Sequence, residues 1–121
     1  MEFFNSKICK LSDIVYYSNR WVDSLIVRDG ATLTVDTTFN TNYLLLKKGN
    51  LIVNKALKSA IKINADSSNS ITGTKTLTSL KDFAINSGTT TFGVNLTTNS
   101  LTISGDGSLI TDGTPTLTVK Q

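Results

Sequence analysis

Few side chains in this 121-residue chain can do chemistry, and the missing types narrow the field first. There is no His, which removes the commonest general acid/base, metal ligand and physiological pH switch. The single cysteine, Cys9, excludes an internal disulfide and a Cys-based zinc site. With no His to activate it, Cys9 is expected to be a small buried apolar residue rather than a nucleophile. Paired carboxylates could serve a glycosidase or lyase, and the candidates are Asp29, Asp36, Asp66, Asp106 and Asp112. Three of them, Asp29, Asp106 and Asp112, adjoin glycine, where Asp is expected for local turn hydrogen bonds. Two stretches could be read as calcium loops. Gly105-Asp106-Gly107 lacks the repeat of a calcium-binding β-roll, and Asp66-Ser67-Ser68-Asn69-Ser70 lacks the Gly and Glu of an EF-hand. No phosphate-binding glycine motif is present. The expectation is a chain with no catalytic residue, no metal and no cofactor.

What stands in place of reactive groups points to the elements. The chain holds 19 Thr, 13 Ser and 11 Asn, with a single Glu and a single Pro. Charged residues make up 17%, below the usual quarter. Threonine is β-branched and suits an extended, half-exposed backbone, whereas Glu and Ala suit helices. An apolar share of 39% is enough for a core and argues against disorder. The ten lysines are scattered and give a net charge of +3, where a nucleic-acid binder clusters Arg and aromatics. No apolar run reaches membrane-spanning length, and MEFFNSKICK does not read as a secretory leader. Neither nucleic acid nor membrane is expected as a partner.

Residues 24–121 repeat. Cut at their apolar triplets, they give segments 25–43, 44–60, 61–79, 80–100 and 101–121. LIV-RDGA-TLTV, LLL-KKGN-LIV and LTI-SGDG-SLI each read as short strand, glycine turn, short strand. Within strands the period is two: Leu33 and Val35 face one way, Thr32 and Thr34 the other. Like aligns with like between segments, which predicts an all-β fold, a short parallel β-solenoid of about five coils stacked roughly 4.8 Å apart. The alternative is an antiparallel β-sandwich or meander, in which Asp29-Gly30 is a hairpin turn. Thr-x-Thr pairs such as Thr76/Thr78 and Thr116/Thr118 resemble the ice-binding face of β-solenoid antifreeze proteins, but Asn50-Leu51-Ile52-Val53-Asn54 interrupts the ladder.

Five of the nine aromatic residues fall in residues 1–23: Phe3, Phe4, Tyr16, Tyr17 and Trp21. A solenoid leaves open strand edges at its ends, so residues 1–23 are expected to form a cap or a docking segment on the β-repeat domain, 24–121. Aromatic anchors dominate many interfaces, and Phe3 and Phe4, nearest the terminus, are the foremost docking candidates. At the other end TLTVKQ runs in strand pattern without a polar cap, so that end is expected to meet a partner or a symmetry mate.

Residues 24–121, with stretches such as GTTTFGVNLTTNSLTISGDGSLITDGTPTLTV, resemble the Thr/Ser/Gly-rich β-repeats of bacteriophage fibre, spike and capsid-decoration proteins. Autotransporter passengers look nearly as similar, but they carry a secretory leader and a membrane barrel. The resemblance implies a non-enzymatic virion structural protein, a capsid decoration, head-fibre or small tail component, made in the host cytoplasm. It implies other virion proteins as partners and a homo-oligomer, a trimer foremost. Two other classes are weighed beside it. A carbohydrate- or surface-binding module predicts exposed aromatics among Phe39, Tyr43, Phe83 and Phe92. A sugar lyase predicts a tight acidic cluster.

Overall fold

The computed structural model describes residues 1–13 and 21–120. Two sheets run through it, and every strand pair in both is parallel. The first sheet stacks β1 (Glu2–Phe3), β3 (Trp21–Arg28), β5 (Phe39–Lys47), β7 (Leu57–Asp66), β9 (Leu77–Ile85), β11 (Leu96–Ile103) and β13 (Leu117–Val119) in chain order. The second stacks β2 (Ile8–Lys10), β4 (Thr32–Val35), β6 (Asn50–Val53), β8 (Asn69–Gly73), β10 (Thr89–Phe92) and β12 (Ser108–Thr111). Consecutive strands thus alternate between sheets, and each returns beside its predecessor one coil on. This is a parallel β-solenoid of about five turns. Parallel pairing throughout excludes the antiparallel meander: Asp29 and Gly30, both at positive φ, turn a corner between sheets instead of closing a hairpin.

One register column marks the coils: Ser24, Tyr43, Lys62, Asp82 and Ser100 lie side by side. Coils therefore begin at these residues, close to the segment starts read from the apolar triplets. Residues 2–3 and 8–10 belong to the same two sheets, pairing with β3 and β4. A 3-10 turn at Leu11–Asp13 follows.

Inward positions form apolar columns. Leu25, Leu44, Ile63 and Phe83 make one, and Phe39, Leu57, Leu77 and Leu96 another, all fully buried. Large and small residues offset one another between coils, and Phe83 packs on Phe92 at 5.5 Å between ring centroids, within the favourable aromatic range. Glycine is obligatory where coils approach closely. At Gly73 a Cβ would lie 2.2 Å from the Val53 carbonyl oxygen, and the residue has φ +126°.

The corners carry the polar groups. The long strands bend at register shifts, between Thr41 and Tyr43 and between Thr98 and Ser100, and inward parity switches there. Thr41, Ser59, Ser79 and Thr98 occupy this bend in one buried column. Each hydroxyl donates to a carbonyl just beyond the bend: Thr41 to Tyr43 at 2.9 Å, Ser59 to Lys62 at 3.1 Å, Ser79 to Asp82 at 3.2 Å, Thr98 to Ser100 at 2.8 Å. At another corner the buried Asn69 side chain accepts from the Gly49 amide and donates to the Asp66 carbonyl, both at 2.9 Å. These side chains supply partners that the ladder loses where the backbone turns.

The bend column gives a stability test. Thr41→Val keeps the shape and leaves the carbonyl without its donor, so it is expected to cost about 1–3 kcal/mol in urea unfolding. Thr118→Val, on the exposed outer face, is expected to stay within about 0.5 kcal/mol of the parent.

Candidate functional site

The two ends of the solenoid differ, and one core column shows it. Phe3, Val27, Leu46, Ala65, Ile85 and Ile103 stand in register from end to end. Phe3 is 4% exposed and the next four are fully buried, whereas Ile103 is 47% exposed. Within the described residues this core column is closed at its β1 end and exposed at Ile103, although β1 and β2 are outermost strands as β12 and β13 are. Sealing at the first end involves Leu11, fully buried in the 3-10 turn, with Met1 and Cys9 packed against the core. Asp36 pins that turn: its carboxylate accepts from the Ser12 amide at 2.8 Å and from the Ser12 hydroxyl at 2.5 Å.

At the open end, Leu101, Ile103, Leu109, Leu117 and Val119 occupy inward register positions above a finished core. Leu101, Leu109 and Leu117 pack on it with one side, and Val119 is 40% exposed. Strands β12 and β13 are the outermost strands of their sheets. Their free edges are rows of backbone donors and acceptors suited to strand addition. Apolar side chains framed by such edges form a face whose burial would remove apolar area from water.

The aromatic docking candidates divide. Phe3 is corrected: it is a core residue, because its strand pairs with Ile26–Val27 and parity turns its ring inward beside Val27. Its neighbour Phe4 points outward, 41% exposed, beneath the Arg28 guanidinium at 4.9 Å. Glu2 and Asp29 both accept from that guanidinium, and the Glu2 hydrogen bond is the main cause holding Arg28 above its ordinary pKa. Trp21 is 52% exposed on β3, in register with Asn40. Tyr16 and Tyr17 lie outside the described residues. The structure therefore separates Phe4 and Trp21, at the surface, from Phe3.

The other candidates are dispersed. Asp29 and Asp36 lie at different corners of the first full coil, Asp66 three strands later, and Asp106 and Asp112 around the last coil. No group of three His, Cys, Asp or Glu able to hold a metal occurs among the described residues. Cys9 is half-buried against the core. Phe39, Phe83 and Phe92 are fully buried and Tyr43 is half-buried, so of the four rings expected of a sugar-binding module only Tyr43 reaches the surface. Thr78, Thr97 and Thr118 do stack in register, with Lys58 next in the column. No helix of the described residues is long and apolar enough to cross a membrane.

The fold class is that of the parallel β-solenoids. No protein-family model, no curated protein and no solved structure matches this chain.

Asp36 predicts an acid-sensitive seal. Partial burial raises its carboxyl pKa, but hydrogen bonds from the Ser12 hydroxyl and amide outweigh burial and hold it below the ordinary carboxylate range. A pKa depressed by folding stabilises above the unfolded value and loses that contribution as pH falls through the folded one. Asp36→Asn is expected to lower the urea midpoint at pH 7. The gap to the parent should close as pH falls below about 4.

Proposed function

We propose that this chain is a non-enzymatic structural protein of a virion, a capsid decoration, head-fibre or small tail component, that works by assembly. The observation carrying the reading is the open C-terminal coil, whose exposed Ile103 and Val119 flank free strand edges. Burying such a face against a matching surface removes apolar area from water and pairs the edges in the same step. Phe4 and Trp21 offer a second, aromatic contact on the outer surface. Repeated copies convert weak single contacts into durable attachment. The virion setting is drawn from the likeness of residues 24–121 to phage β-repeat proteins. The proposed partners are further copies of the chain, as a trimer, and other virion proteins.

The test is absolute mass by light scattering across a concentration series. The parent chain is expected to form a defined oligomer, and Ile103→Lys with Val119→Lys to return it to monomer with its β-sheet circular dichroism intact. A parent chain that stays monomeric at every concentration, with no difference in the double variant, would remove self-assembly through this face.

A further inference from the structure

One corner of the solenoid departs from the others. In the third and fourth coils, Ile71 pairs with Phe92, and Leu77 with Leu96. Between those anchors the third coil places residues 72–76 and the fourth only residues 93–95. The corner of the second coil, residues 52–56, and that of the last, residues 112–116, have the longer form. The shortened corner leaves a notch of about 160 Å³, lined by Gly73, Thr74, Lys75, Thr76, Gly93, Val94 and Asn95. Gly73 and Gly93 contribute no side chain to its walls.

The charged residue lining the notch is basic. Lys75 lines it, and Lys55 holds the same corner position one coil earlier. The two backbone amides make equivalent hydrogen bonds, Lys55 to the Val35 carbonyl and Lys75 to Val53, both at 3.0 Å. Lys58 lies on the adjoining strand β7. All three lysines are exposed, and none forms a salt bridge among the described residues. Asp112 stands one coil beyond, in register beside Gly93, its amide donating to the Phe92 carbonyl at 2.9 Å. Thr76 adds a hydroxyl, while the Thr74 hydroxyl donates to Asn54 Oδ1 at 3.4 Å and Asn95 Oδ1 accepts from the Thr116 amide at 2.8 Å, which leaves the Asn95 NH2 as a further donor. No aromatic ring lines the notch, so stacking on a neutral sugar has no platform there. The strong interaction available is a charge-assisted hydrogen bond from an ammonium, joined by a hydroxyl donor.

We propose that this notch binds an oxyanion group, carboxylate, sulfate or phosphate, with Lys75 as its charged contact and Thr76 as hydroxyl donor. The shape comes from the missing corner residues and the two glycines, and the sign of the charge from the stacked lysines. The proposal is independent of the assembly reading, because the notch lies between the third and fourth coils, away from the open face.

Amide chemical-shift titration of the full chain tests it, with sodium sulfate, sodium phosphate, sodium glucuronate, glucose and sodium chloride at matched ionic strength. Saturable shifts at Gly73, Thr74, Thr76 and Gly93 with sulfate or phosphate would identify a free inorganic oxyanion as the ligand. Such shifts confined to glucuronate would identify a sugar-borne carboxylate. Lys75→Gln is expected to weaken the binding about tenfold or more. Gly93→Val is expected to abolish it by filling the notch. Gly93 is not in the left-handed region, and a Cβ there meets the Thr72 methyl at 3.4 Å and the Ile71 carbonyl oxygen and Thr72 Cα at 3.7 Å, all ordinary contacts, so the fold should tolerate the change. The proposal is overturned by three results: no saturable shift with any oxyanion, the same shifts with chloride or glucose, or unchanged binding in both variants.

Discussion

Each coil depends on the coil beside it for its backbone hydrogen bonds. A parallel strand has no partner within its own turn, so stacking at about 4.8 Å is what satisfies the peptide groups. Stacking in turn fixes which side chains meet. Residues of the same phase are brought together, Leu25 against Leu44 against Ile63, and the inward column must be apolar and of matched volume. A coil that broke either condition would leave unpaired amides or a void in both neighbours.

The corners are where that constraint is hardest to meet. The ladder is interrupted at each bend, and the buried hydroxyls of Thr41, Ser59, Ser79 and Thr98 take over the lost bonds. Asn69 does the same for two backbone groups at another corner. Thr and Ser thus have two separate uses. On outer faces threonine is a solvent-facing strand residue, and at the bend it is a buried donor. The corner of the fourth coil lacks two residues and keeps the flanking leucines in register, so the shortfall appears at the surface as a notch and the core stays filled.

The proposed function rests on how the two ends of the described stack differ. At the N-terminal end the column closes under Phe3 and Leu11, tied down through Ser12 and Asp36. At the other end the column reaches the surface with Ile103 exposed. The proposed assembly through the face around Ile103 would use the same two forces that hold the coils together. This links the proposed role to the fold without any reactive group.

Much of the architecture was legible in the residues. Period-two alternation in Thr32–Val35 and Thr116–Val119, glycine-marked turns and the recurring apolar triplets pointed to stacked coils, because side-chain direction and turn chemistry are local properties. Other features needed the tertiary structure. Whether Phe3 or Phe4 enters the core depends on which residue of β3 each one opposes, a pairing set some two dozen positions away in the chain. The buried role of Thr41, Ser59, Ser79 and Thr98 is invisible beside the chain's 28 other threonines and serines, since only the stacked register turns them inward. The notch arises from a difference in length between two neighbouring corners, a quantity that exists only once Ile71 faces Phe92 and Leu77 faces Leu96. Local sequence determined the strands, the turns and the repeat; register between distant segments decided which polar groups are buried, which end is closed and where the surface is concave.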